Sequence, residues 1–68
     1  MKLKNVKVGQ FVKVKSTADS FRHEYVGSYG TVVQVKDSTY NGYLPVKVRF
    51  PDGDTDWGNH EDIKPIKL

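Results

Sequence analysis

A chain of 68 residues is expected to fold as a single domain, residues 1–68, with one small core, because a polypeptide this short removes only about 60% of its unfolded surface from water. It contains no cysteine, which excludes disulfides and thiolate metal sites. No run approaches the roughly 20 apolar residues of a membrane span, and Met1 to Lys7 lacks the apolar core of a signal peptide, so a cytoplasmic setting is expected.

In chain order, Val6 and Val8 alternate with Lys7, and Gly9-Gln10 marks a kink. Phe11 to Lys15 then alternates again, with Val12 and Val14 opposite Lys13 and Lys15, which predicts strand one. Ser16 to Ser20 is a polar loop. Phe21 to Tyr29 carries Arg22, His23, Glu24 and Tyr25 without sustained periodicity and is bounded by Gly27 and Gly30. It reads as a long structured loop; the alternative is a short helix over Thr17 to Tyr25, capped by Ser16 or Thr17. Thr31 to Lys36 is β-branched and apolar and predicts a second, central strand. Because Val32 and Val33 are adjacent, alternation fails once, so either a bulge lies near Gly30 or one valine faces outward. Asp37 to Gly42 is a turn-rich connector with Asn41-Gly42 its strongest signal, and Tyr43 leads into the next strand.

Val46, Val48 and Phe50 alternate with Lys47 and Arg49, marking one buried face. Pro51-Asp52-Gly53 follows, with proline presetting φ, aspartate bonding the local backbone and glycine accepting positive φ, so the chain reverses there. Two registers compete. A two-residue loop at Asp52-Gly53 pairs Phe50 with Thr55 and Val48 with Trp57, which turns the indole inward and suits hydrophobic patterning. A three-residue loop, with Gly53 as a bulge, pairs Phe50 with Asp54 and Val48 with Asp56, and turns Trp57 outward beside Lys47. The first suits the pattern and the second the turn chemistry. A partly buried Trp57 at the rim is the expected compromise, since inward carboxylates are costly to desolvate. Beyond Trp57-Gly58, Asn59 to Asp62 suits one helical turn, and Ile63, Pro65 and Ile66 resume an extended last strand that proline keeps from being helical.

The order of these elements resembles an SH3-like small β-barrel: all-β, five strands, a long loop after strand one and a short helical turn before the last strand. The residues that carry the resemblance are Val8-Gly9 with Phe11-Val12-Lys13-Val14, Gly27-x-x-Gly30-x-Val32, Val48-x-Phe50-x-Asp52-Gly53 and Glu61-Asp62-Ile63-x-Pro65. Nearly the whole chain is covered. The pattern is similar to those of KOW, Tudor-like and Mib/Herc2-like modules, and the resemblance implies binding of RNA, peptides or protein partners without catalysis.

The net charge of +3 is unevenly spread: Lys2, Lys4, Lys7, Lys13 and Lys15 precede the first acid, Asp19, whereas Asp52, Asp54, Asp56, Glu61 and Asp62 crowd the closing hairpin and the turn after it. Pairing of the first and last strands would let these clusters partly neutralise each other. Otherwise the lysines form a basic face for an anionic partner, without the arginine forks that specific phosphate or base recognition favours.

Asp52-x-Asp54-x-Asp56 has the alternating oxygens of a calcium loop, but Trp57 and Ile63 stand where that loop needs glycine and a bidentate glutamate. His23-Glu24 and His60-Glu61-Asp62 lack two histidines at helical spacing, and no serine or threonine has a base beside it. No metal, cofactor or catalysis is expected. What remains is aromatic: Phe21, Tyr25, Tyr29, Tyr40, Tyr43 and Trp57, beside a core expected to hold Phe11, Phe50 and the valines. The first expectation is a protein or peptide partner held in an aromatic groove by Tyr25, Tyr29, Tyr40, Tyr43 and Trp57. The alternative is RNA or single-stranded DNA, held by the lysines at 2, 4, 7, 13 and 15 with tyrosines as stacking platforms.

Overall fold

The computed structural model describes residues 1–36 and 44–66. Within them the chain forms five strands: β1 (Phe11–Val14), β2 (Tyr29–Val35), β3 (Val46–Arg49), β4 (Thr55–Gly58) and β5 (Ile63–Pro65). Single 3-10 turns lie at Leu3–Asn5, His23–Tyr25 and His60–Asp62. All pairings are antiparallel. The sheet order is β4-β3-β2-β1-β5, which makes β2 central and joins the first strand to the last. Among the described residues no helix is long and apolar enough to cross a membrane.

The alternation read from the sequence is the alternation of the sheet. Val12, Val14, Val32, Val46, Val48 and Ile63 are fully buried on one face. Among the described residues no helix longer than a 3-10 turn packs on that face, and Phe21, Tyr25 and Phe50 join the valines and Ile63 in one core cluster. The edge strands β4 and β5 are not hydrogen-bonded to each other, and the sheet remains open by that criterion.

The loop between β1 and β2 is fastened to β4 and to the turn before β5. Lys15 N–H donates to the Asp62 carbonyl at 2.8 Å, the Ser20 hydroxyl donates to the Asp62 carboxylate, and Asn59 N–H donates to Ser20 Oγ at 2.8 Å. Phe21 lies against the backbone of Gly58 so closely that a Cβ there would fall 2.1 Å from its ring. Of the helix considered for Thr17 to Tyr25, only the turn His23–Tyr25 forms.

Three details differ from the sequence reading or decide between its alternatives. Val6 and Val8 do not share a face: Val6 is buried while Val8 is 64% exposed. Val8 lies inside a turn closed by Gln10 N–H donating to the Lys7 carbonyl at 3.1 Å, and a turn erases strand alternation. The irregularity in β2 is a bulge at Val33, between the pairs Val32–Val48 and Gln34–Lys47. The extra residue is absorbed there, so Val32 stays buried and the inward set is not inverted.

The closing hairpin takes the three-residue turn. Gly53 has φ +86°, its N–H donates to the Phe50 carbonyl at 2.9 Å, and Phe50 N–H donates to the Asp54 carbonyl at 2.9 Å. Val48 therefore faces Asp56, and Lys47 faces Trp57. The cost of an inward Asp56 is met locally: its carboxylate accepts from Arg22 N–H at 2.8 Å and from Trp57 N–H at 3.0 Å, with the Arg22 guanidinium 3.7 Å away. A satisfied carboxylate at a sheet edge removes the desolvation argument for the other register.

Candidate binding face

The same register that buries the valines determines what the sheet shows to solvent. On β1 and β2 the outward residues are Phe11, Lys13, Tyr29, Thr31 and Gln34. On β3 and β4 they are Lys47, Arg49, Thr55 and Trp57, and β5 adds Lys64 opposite Lys13. These outward strand positions carry three aromatic rings and four cations but no carboxylate.

Two aromatic groups organise the face. Phe11 and Tyr29 stack with ring centroids 5.9 Å apart and planes 8° from parallel, yet they remain 36% and 46% exposed. The Lys13 ammonium lies 5.4 Å above the Tyr29 ring. Trp57, half-buried as the rim compromise anticipated, carries Lys36 at 5.2 Å and Lys47 at 5.7 Å from its ring centre. Ammonium groups over ring faces are held by the ring quadrupole, but weakly where solvent competes, so an incoming planar group can displace them. A recess of about 200 Å³ between Phe11, Tyr29, Thr31, Arg49 and Pro51 continues this surface towards β3.

Tyr25 belongs elsewhere. Its ring stacks on Phe50 at 3.9 Å and 6° and is 5% exposed, while Phe21 meets Phe50 edge to face at 6.1 Å. The Tyr25 hydroxyl donates to the Asp52 carboxylate at 3.0 Å. Burial, then the hydrogen bond and charge of Asp52 and the charge of Asp54, push this phenol up to about 12, against a smaller opposing effect of Arg22. One edge of Tyr25 lines a separate recess of about 310 Å³ with Glu24, Ser28, Phe50, Pro51 and Asp52. Tyr25 and Tyr29, expected in one groove, thus occupy the core and the outer face. Tyr40 and Tyr43 lie outside the described residues.

The carboxylates that resembled a calcium loop do not converge on a common point. Asp52 accepts from Tyr25 and from Asp54 N–H, the latter at 3.0 Å. Asp54 and Asp56 flank Arg22, which is the cation of each ion pair between described residues, with Glu24 as its third partner. Burial alone would raise the pKa of Asp62, but hydrogen bonds from Ser20 Oγ, Ser20 N–H and Asp19 N–H, helped by Lys15, hold it below the ordinary 3.8. Lys15 beside Asp62 is thus one instance of the partial neutralisation expected between the lysine and acid clusters. Lys2, Lys4 and Lys7 are exposed on the segment before β1, which is anchored where His60 Nδ1 meets the Met1 carbonyl oxygen at 2.6 Å.

Sequence reasoning placed Phe11 in the core, and the structure turns it outward. Its alternation with Val12 and Val14 already carried that signal. Lys47, Arg49 and Lys64 were also legible as outward cations, from the valine and isoleucine positions beside them.

No protein-family model matches this chain, and no curated protein matches it. Among solved structures it is similar to the NMR structure of Bacillus subtilis protein YorP, a Northeast Structural Genomics target. The TM-score is 0.77 at 20% identity, over 94% of this chain and 73% of that one. At that identity the likeness supports a shared small antiparallel β fold.

Proposed function

We propose that this chain is a non-catalytic binding module of the SH3-like barrel type whose outer sheet face takes single-stranded nucleic acid. The strand order, the pairing of β1 with β5 and the 3-10 turn before β5 support the barrel type. The observation that carries the ligand class is the coincidence, on one solvent face, of the exposed Phe11–Tyr29 stack, the Trp57 ring and four cations without a carboxylate. Bases stack on exposed rings irrespective of sequence, at about 1 to 3 kcal/mol each, while lysines neutralise phosphates. The face offers mainly lysine, a point charge, and one arginine, which suits backbone attraction better than base-specific readout.

The test is binding of a short oligouridylate or oligothymidylate, followed by Trp57 fluorescence across a salt series. Expected are quenching on binding and a log–log salt slope of about −0.7 for each phosphate neutralised. Unchanged emission with no measurable affinity at low salt would end this reading.

A protein or peptide partner is the second reading, favoured by the recess at Tyr25, Phe50 and Pro51 with Glu24 and Asp52 on its rim. Such a site suits a basic peptide, whose binding would leave the outer-face rings unperturbed.

A further inference from the structure

We infer that the recess between β1, β5 and the turn after β1 is a phosphate-binding site. It is a half-open depression of about 370 Å³ lined by Lys13, Lys15 and Lys64 with Ser16, Thr17 and Gly27, a volume in the range of small-ligand pockets. Lysines from β1, from the residue just after it and from β5 thus border one recess, where ammonium groups can pair with a tetrahedral dianion and the two hydroxyls can donate to its remaining oxygens.

The pairing of β1 with β5 supports this independently. Lys13 and Lys64 are directly opposite each other, and like charges at facing positions of an antiparallel pair destabilise the sheet. A bound anion converts that repulsion into two attractions. The carboxylate that interacts with Lys15, Asp62, is turned to the Ser20 hydroxyl and to the Ser20 and Asp19 amides, so it offsets Lys15 only in part. Ser16 and Thr17 are held at the rim by a tight turn, closed by Ala18 N–H donating to the Lys15 carbonyl at 3.0 Å.

Lys13 also connects the recess to the outer face, since its ammonium lies over Tyr29. Lys13 thus borders both the recess and the ring on which a base would stack. The site rests on the nucleic-acid reading only for the source of its phosphate, which is either a strand or a free phosphate ion.

The experiment is a 15N NMR titration of the whole chain with inorganic phosphate at low ionic strength, against sodium chloride of equal ionic strength. Saturable shifts at Lys15, Ser16, Thr17, Gly27 and Lys64, absent with chloride, are expected. Lys15→Gln and Lys64→Gln should each weaken phosphate by about tenfold, the loss of one charge-assisted contact, whereas Lys2→Gln should not. Lys64 is exposed on an edge strand, and a dispersed spectrum of Lys64→Gln shows that its fold is kept. Shifts equal to those with chloride, or equal affinity in a folded Lys64→Gln, overturn the site.

Oligothymidylates with and without a 5′-phosphate separate the sources. A preference for the phosphorylated strand that Lys15→Gln abolishes assigns a terminal phosphate, and equal weakening of both strands by Lys15→Gln, which leaves the outer-face cations in place, assigns an internal one. Inorganic phosphate shifting the recess while neither strand does keeps the site, assigns a free ion and removes the nucleic-acid reading.

Discussion

Tyr25 and Tyr29 lie close together in the chain, and each stacks nearly parallel on a phenylalanine, at interplanar angles of 6° and 8°. The resemblance ends there. The Tyr25–Phe50 pair is buried in the core, reaching a surface recess only at its rim, with its hydroxyl bonded to Asp52, whereas the Phe11–Tyr29 pair is partly exposed with Lys13 over Tyr29. Stacking by itself therefore says nothing about role. What separates the pairs is which side of the sheet the rings occupy and what surrounds them: a carboxylate latch and Phe21 for one, an ammonium over the ring face and open water for the other.

The comparison is broken most directly at Phe50. Phe50→Ala should cost about 3 to 5 kcal/mol, comparable with the whole stability of so small a domain, and the variant should be largely unfolded. A sharp, well-dispersed NMR spectrum would show that the buried pair does not hold the core.

A smaller loss is expected from Tyr25→Phe, which keeps the stack and removes the hydroxyl bond to Asp52. Its urea midpoint should fall, by much less than for Phe50→Ala. The same bond has a pH signature. The phenol is raised from 10.0 to about 12, so its contribution is present below the unfolded value and lost as pH rises through the folded one. Spectrophotometric titration should find one tyrosine ionising well above the ordinary value, and Tyr25→Phe should remove that step. If the anomalous step survives, the latch is assigned to the wrong residue.

The smallest effect on stability belongs to the exposed pair. Tyr29→Ala should cost about 1 kcal/mol, the worth of one aromatic cross-strand contact and far less than Phe50→Ala. It should nevertheless weaken oligonucleotide binding by about 1 to 3 kcal/mol, the worth of one stacked base. Unchanged affinity in a folded Tyr29→Ala would show that the exposed stack is mere surface.

Much of the architecture could be read without coordinates. The inward valines of β1 and β3, the reversal at Pro51-Asp52-Gly53 and the helical turn before β5 followed from alternation and turn chemistry, and the pairing of the first strand with the last was one of two readings of the charge clusters. The candidate site was less legible. Phe11 was expected inside although its alternation with Val12 placed it outside, and Tyr25 and Tyr29 were grouped because loop aromatics carry no period that assigns them a side. Arg22 gave no sign of its ties to Asp54 and Asp56, because those partners come from a strand pair far along the chain.

What the sequence by itself determined is local: which residues alternate, where φ must turn positive, and where proline forbids a helix, since each follows from backbone sterics and the two-residue period of a strand. Only the tertiary structure decided the hairpin register, the bulge at Val33 and the side on which each aromatic ring lies. Patterning favoured Trp57 inward, and the fold instead accepts Asp56 there because Arg22, brought in by the loop after β1, supplies both an N–H and a charge to its carboxylate. The desolvation cost of a buried acid depends on its partners, and its partners are known only once the chain has closed on itself.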